Sequence, residues 1–174
     1  MAIQVRRFAP HEWRMYRELR LRALADSPDA FGSTYEREAA RDDAAWEERL
    51  RDGATSDAQM PVVALSGETP IGLAWARRDG DDPTLAHLFQ VWVSPTHRGR
   101  GVGRSLTNAV IAWAQGLGLQ TLRLGVTPSH PAALRLYERA GFVNAGEAGP
   151  LRPGSSMLCQ PMQLVLDAST QNRK

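Results

Sequence analysis

Residues 91–105 read Val-Trp-Val-Ser-Pro-Thr-His-Arg-Gly-Arg-Gly-Val-Gly-Arg-Ser, an apolar strand pattern that runs through a glycine-punctuated turn directly into a helical one. A chain carrying this segment must bring a strand end, a loop and a helix N-terminus to one point. Gly99, Gly101 and Gly103 free the backbone to take positive φ and to bring N–H groups close to a ligand. The first helical turn adds unpaired N–H donors and a partial charge of about +0.5. Arg98, Arg100 and Arg104 surround the same point, and arginine is well shaped to grip phosphate in a two-pronged fork. The segment predicts an anion cradle wide enough for a diphosphate. A Walker loop needs Gly-Lys-Ser/Thr, and the only lysine is Lys174. A dinucleotide fingerprint needs glycine where Arg104 stands and an acid about 20 residues on, where Gln120 and Thr121 lie. Both are excluded.

Around this segment, hydrophobic periodicity predicts one layered domain. Residues 2–8 alternate as an opening strand, and Trp13, Tyr16, Leu19, Leu21 and Leu24 recur at helical spacing up to about Ala25. Asp26-Ser27-Pro28-Asp29 breaks that helix. A second helix is expected over 35–51 with an acidic face (Glu36, Glu38, Asp42, Asp43, Glu47, Glu48), then a loop over 52–59. Strands follow at 60–65 and 71–77, joined by a hairpin turn, and at 85–93. After the cradle come a long helix ended by Gly116 and Gly118, a strand at 119–126, a short helix at 131–140, and closing strands at 142–147 and 160–166. Helices on the faces of a mixed sheet make an α/β (α+β layered) domain, expected to occupy 1–168 with a polar tail from Ser169.

Composition narrows the function. With 174 residues the chain can bury on the order of 70% of its unfolded surface. The single cysteine, Cys159, rules out an internal disulfide and a thiolate metal cluster, and no metal site is expected. No stretch approaches about 18 apolar residues, and the N-terminus lacks a signal-length apolar run, which predicts a cytoplasmic protein off the membrane. Acids are interspersed with the basic residues, net charge is +2, and no zinc-finger spacing is present. Nucleic acid is therefore not expected as a partner.

Arg98-x-x-Gly101-x-Gly103 fits the pattern Arg/Gln-x-x-Gly-x-Gly/Ala, and His130-Pro-Ala-Ala-Leu-Arg-Leu-Tyr-Glu-Arg-Ala-Gly-Phe142 follows one helix and one strand later. On these two blocks the chain resembles the GNAT acetyltransferase superfamily, whose second block runs Asn-x-x-Ala-x-x-Leu-Tyr-Glu-x-x-Gly-Phe. The resemblance implies a mostly antiparallel central sheet flanked by helices. It implies acetyl-CoA as cofactor, with Arg98, Gly99, Arg100, Gly101, Val102, Gly103, Arg104 and Ser105 around its pyrophosphate. A bulged strand before the cradle would receive the pantetheine on the main chain of Val91, Trp92 and Val93. His130, beside Ser129, stands where the family has an asparagine that contacts the pantetheine arm, which leaves the role of that position open.

The resemblance further implies direct transfer to a primary amine through a tetrahedral intermediate, without an acyl-enzyme. Holding amine and thioester together is worth up to about 7–11 kcal/mol. Tyr137 occupies the family's general-acid position, its phenol protonated at neutral pH. His87, in the region where some relatives carry a catalytic glutamate, is the candidate base, with Glu36 and Glu38 as rivals on the acceptor side. If the acidic segment lines the acceptor cleft, polycationic amines such as polyamines or aminoglycosides are favoured. Cys159 lies far from both blocks and reads as a structural thiol, and the tryptophans read as core. A small-molecule amine is the expected acceptor, and a homodimer is compatible. A protein or peptide N-acetyltransferase and a non-catalytic acyl-CoA-binding regulatory module are the alternatives.

Overall fold

The apolar runs at 60–65, 71–77 and 85–93 form the middle of one mixed sheet, as their patterns predict. The computed structural model describes residues 2–166, so the expected tail and the boundary at 168 lie outside the described residues. The strands are β1 (Ile3–Arg7), β2 (Gln59–Ser66), β3 (Thr69–Arg78), β4 (Leu85–Val93), β5 (Thr121–Val126), β6 (Val143–Asn144), β7 (Gly149–Pro150) and β8 (Leu158–Val165). The helices are α1 (Trp13–Asp26), α2 (Tyr35–Ala39), α3 (Asp43–Thr55), α4 (Val102–Gly116) and α5 (Pro131–Arg139). Sheet order is β1-β2-β3-β4-β5-β8-β6, with β7 paired to β8. Only β4 and β5 run parallel among the described strands, because α4 carries the chain over the sheet between them.

Each face of the sheet has its own core. On one face, Val102, Leu106, Val110 and Ala114 of α4 pack with Val62, Ala64, Leu88, Leu122, Tyr137 and Phe142. Leu106 is fully buried, and truncating such a residue to alanine costs about 2–5 kcal/mol. On the other face, Trp13, Tyr16 and Leu19 of α1 and Trp46 and Leu50 of α3 meet Val63, Leu73, Trp75 and Trp92. Tyr16 is the hub here, with ring centroids 5.7 Å from Phe8, 5.7 Å from Trp46 and 5.1 Å from Trp75.

Three expectations change. The single helix over 35–51 is two helices, because Thr34 and Asp42 act as separate N-caps, accepting from the amides of Arg37 at 3.3 Å and Ala45 at 2.8 Å. The expected loop at 52–59 instead continues α3 to Thr55. Gly53 is helical because the Trp75 ring lies against it, and a Cβ there would stand 2.2 Å from Trp75 Cζ2. The strand over 142–147 shrinks to β6, since the Phe142 amide still bonds the Tyr137 carbonyl at 3.0 Å and the Phe142 ring packs edge-on against Tyr137.

Candidate active site

The β4–β5 ladder is short. It pairs Leu85, Ala86 and His87 with Thr121, Leu122 and Arg123 and then stops. Beyond that point β4 pairs with β3 on one side and has no partner on the side facing β5. The strands splay into a wedge, and β4 carries the expected bulge beside it. Between Leu73↔Trp92 and Trp75↔Phe89 the register slips, and Gln90 sits at φ 59°. The bulge turns both Phe89 and Gln90 toward the α1 face, where the Tyr16 hydroxyl donates to Gln90 Oε1 at 2.8 Å. Val91 and Val93 then pack on the α4 face and Trp92 on the α1 face.

The wedge leads into the cradle. Gly99 and Gly101 take φ of 74° and 80°, and an added Cβ at either would meet nothing within 4 Å. Ser105 is the first residue of α4 whose amide bonds back, to the Gly101 carbonyl at 3.0 Å. The N–H groups from Gly99 to Arg104 have no hydrogen-bond partner among the described residues, and no side chain caps the helix. A run of converging, unpaired N–H donors with open space before it fits a diphosphate. Gly103 serves packing, its Cα lying where a Cβ would stand 3.1 Å from Leu136 Cδ2 of α5. Val102 is buried, and the Ser105 hydroxyl donates to the Gly101 carbonyl at 3.1 Å.

The three arginines separate. Arg100 and Arg104 are exposed and make no ion pair with a described residue. Arg98 instead donates through Nε to the Val93 carbonyl at 3.0 Å and pairs with Asp26. Asp26 also accepts from Trp92 Nε1 at 3.0 Å and from the Ser27 hydroxyl at 2.7 Å. Burial pushes the Asp26 carboxyl up, and these three donors outweigh it, so the group titrates below the ordinary aspartate range. The residue read as a helix breaker thus ties the α1 end to the cradle.

Tyr137 lies on α5, buried among Phe142 and the α4 core, and its hydroxyl has no hydrogen-bond partner among the described residues. Burial alone raises its phenol well above the ordinary tyrosine range. His130 sits at the N-terminus of the same helix with Nε2 enclosed and unpartnered, an atom that a polar ligand group would satisfy. His87 stands at the apex of the wedge, the last paired position of β4. Its Nε2 lies 2.7 Å from Asp79 Oδ1, and both side chains are partly exposed. Asp79 is pulled down to about 2 by that contact first and then by the amides of Asp82 and Asp81. It stays anionic beside the imidazole.

On the acceptor side the two glutamates part company. Glu38 is buried and bonded to Arg41 at 2.9 Å and Arg49 at 3.0 Å. Burial pushes its carboxyl up, while the Ser33 hydroxyl, Arg49, Arg41 and Arg20 pull it down further, below the ordinary glutamate range. Glu36 is exposed and lines a cleft of about 390 Å³ with Leu24, Pro28, Tyr35 and Arg152. Pro28 lines that cleft, and the residues on either side of it are tied to both strands, Asp26 to Trp92 on β4 and the Asp29 carbonyl to Thr127 Oγ1 after β5 at 2.8 Å. Cys159 is half-buried against Gly125, and burial raises its thiol above the ordinary cysteine range. Asp26, Asp79, Gln90 and Arg152 were not singled out from sequence. Only Gln90, a polar residue in an apolar strand, carried a signal.

Comparisons with known proteins agree with this geometry. The model described as the acetyltransferase (GNAT) family matches residues 13–142. A mycothiol acetyltransferase of Thermobispora bispora is 31% identical over 145 residues, covering 80% of this chain and 46% of that protein. The chain spans less than half the length of the curated relatives it matches first. Among solved structures, a GNAT-family acetyltransferase from Streptococcus pneumoniae superposes with a TM-score of 0.81 at 22% identity, covering 95% of this chain and 100% of that one. A spermidine N-acetyltransferase from Vibrio cholerae in complex with CoA and spermine superposes at 0.75 and 20% identity, covering 94% and 95%. At these identities the structural likeness is one of fold.

Proposed function

We infer the reaction from one premise: the chain belongs to the GNAT acetyltransferase family. It moves the acetyl group of acetyl-CoA directly to a primary amine of a small molecule, both held at once in the wedge and its adjoining cleft. The observation that carries this is continuity, since the unpartnered N–H run from Gly99 to Arg104 opens onto the unpaired edge of β4. Acetyl-CoA supplies the activated acetyl group as a thioester. The cradle amides and the free guanidiniums of Arg100 and Arg104 bind its diphosphate. The β5-facing main chain of Val91, Trp92 and Val93 aligns the arm, and His130 Nε2 offers it a polar contact at the wedge mouth.

Tyr137, whose phenol burial keeps protonated, donates a proton to the departing thiolate. Two groups are our candidates to take the proton from the incoming ammonium. His87 at the wedge apex, oriented by Asp79, acts through water, and Glu36 acts from the acceptor cleft. Positioning supplies most of the rate. No described helix is long and apolar enough to cross a membrane, and no described cluster of His, Cys, Asp and Glu is arranged to hold a metal.

The test has two parts. Saturating acetyl-CoA raises the melting temperature, with about 2.7 kcal/mol of stabilisation at a hundredfold excess over Kd. An unchanged melting temperature overturns the cofactor assignment. Free-thiol release from acetyl-CoA across a panel of amines then reports turnover, and CoA binding with no release from any amine leaves a binding module instead.

A further inference from the structure

We propose that the cleft between the end of α1 and α2 is the acceptor pocket and that it selects amines carrying a carboxylate, which Arg152 holds. This rests on the acetyl-transfer reading above and names its substrate class. The guanidinium of Arg152 reaches the cleft from the irregular segment between β7 and β8. One of its nitrogens, Nη2, donates to the Pro28 carbonyl at 3.0 Å, which fixes the group in place. Its Nη1 is enclosed and has no partner. A guanidinium nitrogen without an acceptor is costly, and because Arg152 lines the cleft, a small turn of its guanidinium brings Nη1 to a bound carboxylate, which completes it with a charge-assisted hydrogen bond.

The surroundings agree in sign. Arg20, only 3% exposed, lies with its guanidinium 4.8 Å from the Phe31 ring and leaves Nε and Nη1 unpartnered. Phe31 belongs to the same 28–32 segment, whose Pro28 carbonyl accepts from Arg152. Two guanidiniums without full partners therefore flank that segment. Against them the cleft offers one carboxylate, Glu36, because Glu38 is already buried between Arg41 and Arg49. A polycation finds a single site of attraction here. A molecule with one amine and one carboxylate finds a partner for each end, and about 390 Å³ suits something the size of an amino acid. Residues 26–29, tied to both β4 and the β5 end, bring the amine end to the wedge.

The test compares L-phenylalanine, L-methionine and L-glutamate with their α-carboxamides and with spermidine, by thiol release from acetyl-CoA. The acids are expected to show a KM about tenfold or more below that of the amides, the loss of one charge-assisted hydrogen bond. Arg152→Gln removes that difference while the KM for acetyl-CoA stays unchanged. Arg152→Lys, which keeps the charge, retains part of it. Amides or spermidine used as well as the acids overturn the proposal, as does an Arg152→Gln change that weakens acids and amides alike. If no probe releases thiol, the transfer reading fails for these amines and calorimetry on the CoA complex decides the cleft. Acid binding that Arg152→Gln abolishes upholds it, and no acid binding, or binding indifferent to the substitution, overturns it.

Discussion

The halves proposed to hold donor and acceptor are built from different materials. The donor half is mainly backbone: a splayed strand edge, two glycines at positive φ, and a helix start whose amides have no partner. The acceptor half is made of side chains, with Glu36 and Arg152 facing a cleft and Glu38 locked between two arginines beneath it. Backbone donors bind any diphosphate in the same way, so this half tolerates little change in chain path and much change in surface residues. A side-chain pocket can be rewritten by one substitution. The contrast separates what should abolish activity from what should redirect it.

The largest effect belongs to the chemistry both halves share. Tyr137→Phe should lower kcat by about 10²-fold or more, the low end for losing a general acid, with little change in acetyl-CoA Kd. Equal kcat removes Tyr137 from that role. Next comes the backbone of the donor half. Gly101 adopts φ 80°, a conformation that costs a side-chain-bearing residue about 1–2 kcal/mol. Gly101→Val should weaken acetyl-CoA binding by about 5–30-fold while leaving amine selectivity unchanged, measured by calorimetry and the amine panel. An altered amine preference instead would blur the division between the halves.

The acceptor half should respond first in stability. Glu38→Gln should cost roughly 1–3 kcal/mol at neutral pH, toward the low end because Arg41 and Arg49 stay about a third exposed. The Glu38 carboxyl titrates lower in the fold than in the unfolded chain. Its contribution is therefore complete above the unfolded value and fades as pH falls through the folded one. The wild type should lose its advantage over Glu38→Gln in acid, and a constant difference down to low pH would remove the ion pair as the cause. The smallest change is expected from His87→Ala. It should alter the acidic limb of the pH–rate profile if His87 is the base, and an unaltered limb shifts that role to Glu36.

Legibility followed the same division. Gly99, Gly101 and the 91–93 strand end could be placed from spacing, because strand-turn-helix order forces them to one point, whereas the role read for Tyr137 came only through the resemblance. The bulge and the wedge were reachable only through the resemblance, since one polar residue, Gln90, in an apolar strand does not by itself announce a register slip. Arg98, read as a third phosphate ligand, also holds Asp26, a contact 72 residues distant in the chain that spacing does not reveal. The continuous helix over 35–51 failed because two caps, Thr34 and Asp42, outweighed an unbroken run of helix-compatible residues.

The glycine- and arginine-rich turn and its flanking elements, read without coordinates, specified a diphosphate cradle and a layered α/β domain, because those depend on local backbone freedom and on the period of the apolar residues. Which acid is buried, which arginine is free and what lines the acceptor cleft were decided only in the folded chain. Arg152 and Glu36 lie more than a hundred positions apart; Arg152 carries no local signal, and Glu36 stood out only as one acid of an acidic segment. Their meeting depends on how the 26–30 segment packs between the ends of β4 and β5.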